Sequence, residues 1–244
     1  MKNIAYKQMY ENELSHAWYI GTRNHLIKAL KQNCTTSSRI LDAGAGTGGT
    51  IIFLKRAGFK NVIGIEKSDI AISYSRKRGL KITKGDINKL PFAKDSFDVV
   101  VCLDVLYHRG VNPHLAIGEF QRVLKKGGLL YLQEPAYTFL KSRHDIAIAT
   151  SRRFTKNQIA KILSLAGFKI LKLSYLNTLM FLPIAAKRLI DKFADKNDIT
   201  SDVVSLKSSF LNRLFFNLLK IESFLTNYVS LPFGLSIICL AKKN

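Results

Sequence analysis

The 244-residue chain is 47% hydrophobic, with 15 phenylalanines and 9 tyrosines. That is enough to bury one large α/β core, and it excludes a disordered or low-complexity chain. The net charge of +21 is spread along the length: 23 basic against 12 acidic groups in residues 1–149, and 15 against 5 in residues 150–244. It suits an anionic partner, or a lysine-rich solvated exterior with no partner at all.

Cys34, Cys102 and Cys239 are too far apart for a metal-ligand set, so no metal is expected, and three free thiols fit a reducing compartment. Residues 1–7 lack the apolar core of a signal peptide, and no run is long enough to span a bilayer. The expected location is cytoplasmic, with peripheral membrane contact as an option.

The first periodic segment, Glu11 to Gln32, reads as one helix carrying Trp18 and Arg23. Ile40 and Leu41 then end an apolar run that Asp42 closes. Gly44, Gly46, Gly48 and Gly49 follow, and Ile51, Ile52 and Leu54 begin a helical pattern. Strand, glycine loop and helix let a backbone approach a ligand with no Cβ in the way, while the free N–H groups of the helix face it. The loop alone does not name the ligand, because Gly44, Gly46 and Gly49 also satisfy a dinucleotide spacing.

Residues 61–66 read as a second strand ending on Glu66, where an acid accepts the ribose hydroxyls of an adenosine-type ligand. A short third strand at 80–83 leads to Gly85-Asp86-Ile87. The continuous apolar run from Val99 to Leu103 reads as a strand buried on both faces, with Asp104, Tyr107 and His108 at its carboxyl end. A helix at 113–124, a Lys125–Gly128 turn and a strand at 129–134 follow. After them come a helix at 154–166, a strand at 168–175 and a last strand at 235–241. Between those last two strands, 184–193 and 209–226 read as amphipathic helices. The expected organisation is therefore a core of residues 1–182 with 229–244 and a helical cap over 183–228.

The ordered set resembles the class I S-adenosylmethionine (SAM) methyltransferases. The residues that carry the likeness are Ile40 to Gly48, Glu66, Gly85-Asp86-Ile87, Leu90-Pro91-Phe92, Phe97 to Val100 and Leu124 to Gly128. The resemblance implies a Rossmann-like α/β sheet of seven strands, mostly parallel with an antiparallel last strand, and SAM as cofactor. It places Asp42, Ala43, Gly44, Gly46 and Gly48 at the methionine moiety, Glu66 and Lys67 at the ribose, Asp86 and Ile87 at the adenine, and Leu103 and Asp104 at the methionine end. Trp18 and Arg23 join the cofactor set.

Two flanking segments resemble a narrower subgroup: His16 to Tyr19 with Arg23, and Pro135 to Asp145 followed by Arg152 to Thr155. Lys141, Thr150 and Phe154 stand where that subgroup has Trp, His and Tyr. A base is needed only when the acceptor must lose a proton, and His108, Tyr137 and His144 are the candidates, with Asp145 able to orient an imidazole. The expected acceptor is a small molecule, or a lipid- or glycan-linked group, methylated on O or N. Nucleic acid ranks lower, because the cap holds 7 basic and 5 acidic residues over 183–228 and offers no phosphate footprint.

Overall fold

The structure is a computed structural model that describes residues 3–141, 145, 150–193, 217–219, 221–222, 224–226 and 228–244. Its elements in order are α1 (Asn3–Asn12), α2 (Ala17–Asn33), β1 (Arg39–Ala43), α3 (Gly49–Arg56), β2 (Asn61–Glu66), α4 (Asp69–Lys77) and β3 (Ile82–Lys84). Then follow β4 (Phe97–Leu103), α5 (Pro113–Val123), β5 (Leu124–Pro135), a 3₁₀ turn (Thr138–Leu140), α6 (Lys156–Leu165), β6 (Phe168–Leu176), α7 (Phe181–Phe193) and β7 (Ser236–Lys243).

The seven strands lie in the order β3-β2-β1-β4-β5-β7-β6. β7 runs antiparallel to both neighbours, and the other pairings are parallel. The order reverses beside β1, so the carboxyl ends of β1 and β4 open a crevice at the switch point.

Period-two alternation divides the central strands between two cores. Leu41, Val100 and Cys102 face one side with Phe120 of α5 and Ile159 of α6. Ile40, Val99 and Val101 face the other with Leu26 and Leu30 of α2 and Leu54 of α3. All eleven are at most 1% exposed, and each large one contributes about 1.5–3 kcal/mol by leaving water.

Local signals set most helix ends. Asn112 caps α5 by accepting from the His114 and Leu115 N–H groups, and Pro113 takes the first helical position. Thr155 and Gln158 form a reciprocal capping box on α6.

Two expectations are corrected. The segment read as one helix over 11–32 is two helices, α1 and α2, with residues 13–16 between them. There the chain turns so that Glu13 points inward, and His16, in extended conformation, caps α2 by accepting from the Trp18 N–H at 3.2 Å. Periodicity missed the break because the reason for it is a contact with distant residues. The Lys125–Gly128 turn also lies inside β5: the pairing steps from Phe97↔Leu124 to Val99↔Leu129, with Gly127 at φ 75°.

The cap boundaries expected at 183 and 228 fall partly outside the described residues. Within them α7 begins at Phe181, and residues 217–219, 221–222 and 224–225 are helical. Glu222 ties this stretch to the sheet. Its carboxylate, 1% exposed, accepts from the N–H groups of Asn177, Thr178 and Leu179 just past β6. Asn177 is in the left-handed region at φ 63°, which turns these donors onto one oxygen pair. Glu222→Ala is expected to lower stability by about 1–3 kcal/mol, the cost of leaving buried donors unmade. A denaturant titration checks this, and a change below 0.5 kcal/mol, the scatter of ordinary surface substitutions (about ±0.5 kcal/mol), refutes the tether.

Candidate active site

A cavity of about 810 Å³ opens at the switch point and runs from α1 and the glycine loop to the carboxyl ends of β4 and β5 and on to α7. The glycine loop forms its floor. Gly44, Gly46 and Gly48 take φ of 85°, 54° and 89°, a region that strains L side chains. The N–H groups of Gly44 and Ala45 both donate to Ile65 O at 2.9 Å, fastening the loop to β2. A Cβ on Gly44 would sit 2.5 Å from Val105 Cγ2, so glycine is required by contact as well as by conformation.

Glu66 stands at the end of β2. It accepts from the Gly46 N–H at 2.9 Å, the Lys67 N–H at 2.9 Å and the Ser68 N–H at 2.8 Å. An ionised carboxylate has about four acceptor positions, so capacity for a ligand hydroxyl remains. Asp86 follows β3 and pairs with Lys67 Nζ at 2.7 Å. Burial pushes its carboxyl up, but the Lys67 ammonium and Asn88 outweigh that and hold it below the usual range. Ile87, 5% exposed, supplies an apolar wall beside it.

Leu103 and Asp104 form the β4 lip. Asp104 is in the left-handed region at φ 57°, and Gln133 Nε2 donates to its Oδ2 at 2.9 Å. The other end of that amide, Gln133 Oε1, is buried without a hydrogen-bond partner and lines the cavity. It suits a ligand N–H. Glu134, fully buried, accepts from the N–H groups of Val105, Leu106 and Tyr107 and so shapes the loop after β4. Burial and the nearby Asp104 raise its pKa well above the ordinary value.

An N-terminal wall closes the cavity. Tyr6, Met9 and Glu13 face it from α1 and the break, with Met9 Sδ packed over Gly46. The Glu13 carboxylate, 1% exposed, binds Arg23 Nη2 at 2.8 Å, and also accepts from Arg78 Nη1 and the Thr47 hydroxyl. It lies over the start of α3, where a Cβ on Gly49 would collide with it. Arg23 also donates to Thr50 Oγ1 at 3.2 Å and lies over the Tyr19 and Phe53 rings.

The remaining expected residues divide. Trp18, Arg23, Gly44, Gly46, Glu66, Lys67, Asp86, Ile87, Leu103, Asp104, His108 and Asp145 share the cavity wall. Asp42 and Ala43, 2% and 0% exposed, lie behind it, and Gly48 packs on Leu80. Tyr137 is not on the wall: it stacks on Tyr175 at 5.1 Å. Asp145 receives Arg153 Nε and Nη2 at 2.8 and 3.1 Å. His144 lies outside the described residues. His108 packs on Tyr107 with ring centroids 4.2 Å apart.

Glu13, Arg78, Gln133, Arg153 and Arg188 were not expected at the site. A buried acid such as Glu13 leaves no trace in a helical period. The one sequence signal was the Arg152-Arg153 pair within the flanking resemblance. Among the described residues no group of three or more His, Cys, Asp or Glu side chains is placed to hold a metal, and no helix is long and apolar enough to cross a membrane.

A sheet of this order with a glycine loop after β1 and acids after β2 and β3 defines a class I SAM-dependent methyltransferase domain. The methyltransferase-domain family matches residues 41–132. Among curated relatives, sterol 24-C-methyltransferase of Pneumocystis carinii is 32% identical over 130 residues, 49% of this chain and 33% of that one. The methyltransferase YcgJ of Bacillus subtilis is 30% identical over 106 residues, 41% of each chain. The matches thus span a third to two fifths of these relatives' own length. Among solved structures, B. subtilis YcgJ aligns with a TM-score of 0.58 at 20% identity, over 91% of this chain and 97% of that one. Geranyl diphosphate C-methyltransferase of Streptomyces coelicolor aligns at 0.61 and 14%, over 90% and 78%.

SAM is the domain's cofactor, and the wall fits it. Glu66 retains acceptor capacity and Gln133 Oε1 awaits a donor. Burial, opposed by Arg23 and reinforced by Glu13 and Glu66, raises the Asp42 pKa to about 7. Burial, opposed by Gln133, Arg23 and Arg153, raises that of Asp104 to about 6.

Both acids have folded-state values above their unfolded ones. They therefore favour the folded chain at acid pH, and that contribution is lost as pH rises through 6 and 7. A cationic ligand favours the carboxylates. SAM affinity is therefore expected to rise from pH 5.5 to 8, with protons released on binding near pH 6.5. Calorimetry in buffers of different ionisation enthalpy reads both, and a pH-independent affinity with no proton release would refute the coupling.

Proposed function

We propose that this chain transfers the methyl group of SAM to an O or N atom of a small-molecule acceptor of lipid type. The observation that carries this reading is the continuity of one cavity from the glycine loop to an apolar end formed by Met180, Pro183, Ile184 and Leu235. SAM brings its own electrophile, a sulfonium methyl. The chain's task is to hold the acceptor in line and exclude water, which supplies much of the rate.

The N-terminal wall of α1 and the α7 wall perform the exclusion. Where the acceptor gives up a proton, His108 is the described imidazole on the β4 side of the cavity that was expected for the role. Support for an apolar acceptor also comes from the relatives, whose names include sterol and geranyl diphosphate methyltransferases.

Calorimetry with SAM and with NAD tests the cofactor: SAM binds and NAD does not. Methyl transfer from isotope-labelled SAM into the lipid fraction of a cell extract tests the acceptor class. Label entering RNA instead, with tight and steeply salt-dependent RNA binding, would overturn the lipid reading.

A further inference from the structure

One hydroxyl on the loop after β4 has no partner in the fold. Tyr107 is 6% exposed and lines the cavity. Among the described residues its Oη makes no hydrogen bond. The Tyr131 hydroxyl is also unpaired, but it is sealed inside the core. That of Tyr107 is not sealed, so it opens into the cavity.

The rest of Tyr107 is held in place. Its N–H donates to Glu134 Oε2 at 3.2 Å. Its carbonyl accepts from both the N–H and the hydroxyl of Ser151, each at 2.9 Å. Its ring packs in the core and lies against His108, with centroids 4.2 Å apart. Two residues upstream, the Val105 side chain packs on Gly44 of the glycine loop; just downstream, His108 bridges to Thr150. Tyr107 thus stands between the glycine loop and the segment around Thr150, and both border the cavity. Fixing a residue through its N–H, its carbonyl and its ring fixes the oxygen as well, which is what positioning a reactant requires. A buried hydroxyl without a partner costs free energy, and a ligand that supplies the partner removes that cost.

The electrostatics narrow the ligand. Burial, reinforced by Asp104, Glu134, Tyr19 and Asp145, raises the phenol's pKa well above its ordinary value. The hydroxyl is therefore a neutral hydrogen-bonding group and not a base. The same acids disfavour an oxyanion beside it.

We propose that Tyr107 binds the polar group of the methyl acceptor, a hydroxyl or an amine, through a hydrogen bond to its phenol oxygen. The proposal rests on the methyl-transfer reading and adds a specificity-determining residue to it.

The test uses the full chain, isotope-labelled SAM, and the lipid and small-molecule fractions of a cell extract as the acceptor pool. Tyr107→Phe deletes only the oxygen. It is expected to lower methyl transfer at limiting extract by about 5- to 100-fold, the loss of one hydrogen bond to a buried group. S-adenosylhomocysteine affinity, read by calorimetry, stays within twofold of wild type. The urea midpoint is unchanged or higher, because an unpaired buried hydroxyl has been removed. The pH profile of transfer keeps its shape, because the phenol does not ionise.

Transfer by Tyr107→Phe within twofold of wild type overturns the proposal. So does a lowered urea midpoint with a rate loss that tracks it, which would make the hydroxyl structural. An equal loss of S-adenosylhomocysteine affinity would put the hydroxyl on the cofactor, and loss of one limb of the pH profile would make it a base; either result overturns the proposal as well. Absence of label in both fractions with the wild-type chain would instead sink the methyl-transfer reading itself, so the two failures are distinguishable.

Discussion

Glu13→Ala is expected to destabilise the protein by about 3–5 kcal/mol, the range for removing one partner of a buried ionic group. Arg23 and Arg78 both reach the Glu13 carboxylate, and their side chains are 8% and 7% exposed. Without it, two buried guanidinium groups face one another across the space it occupied. The effect extends beyond stability, because the same carboxylate holds the α1–α2 break against Thr47 and the start of α3. SAM binding should therefore weaken along with the fold.

Urea unfolding of Glu13→Ala against wild type measures the first effect. The triple variant Glu13→Leu, Arg23→Met, Arg78→Met separates charge from shape: replacing all three charges by apolar groups should recover much of the loss. A Glu13→Ala loss below 1 kcal/mol would mean that the arginines find other partners and that the cluster does not hold the N-terminal wall.

Glu66→Ala is expected to weaken SAM binding by about 10- to 150-fold. Hydrogen bonds to a charged group are worth about 1.5–3 kcal/mol each, and tenfold in affinity is about 1.4 kcal/mol. The carboxylate accepts from Gly46, Lys67 and Ser68 and is the acceptor nearest the glycine loop on β2. Glu66→Gln keeps the shape and one acceptor oxygen, so its loss should be smaller. Calorimetric titration with SAM and with S-adenosylhomocysteine reads both. Unchanged affinity in Glu66→Ala would remove the ribose role and force the cofactor elsewhere in the cavity.

These two residues mark how far the sequence was legible. Glu66 was found before any coordinates, because its place follows from local rules: an apolar run makes a strand, the strand ends on an acid, and strand ends at a switch point face the ligand. The same logic found the glycine loop, Asp86 with Ile87, and Asp104 at the end of β4, while Leu103 came from the family resemblance. It found the seven strands too, since continuous apolar runs in the centre of a sheet and capped helices between them are written locally.

Glu13 was missed because it lies in a stretch that scores as helix, and only Arg23, Arg78 and Thr47 pull the chain out of that period. Asp42 stands at the expected position yet lies behind the wall, 2% exposed, and does not face the cavity. Tyr137 has the right place in the chain, but its ring stacks on Tyr175 outside the cavity.

The sequence by itself determined the class: the strand-loop-helix core over residues 39–134, its acids and its glycines, each set by neighbours a few positions away. Tertiary structure alone decided what lines the far end of the cavity, because Arg153, Arg188, Thr150 and Leu235 come from separate segments of the chain. It also decided that β7 enters between β5 and β6. The physical reason is range. Backbone conformation and apolar period act over one or two turns, whereas a charge-lined cavity exists only after distant elements have packed and buried polar groups have found their partners.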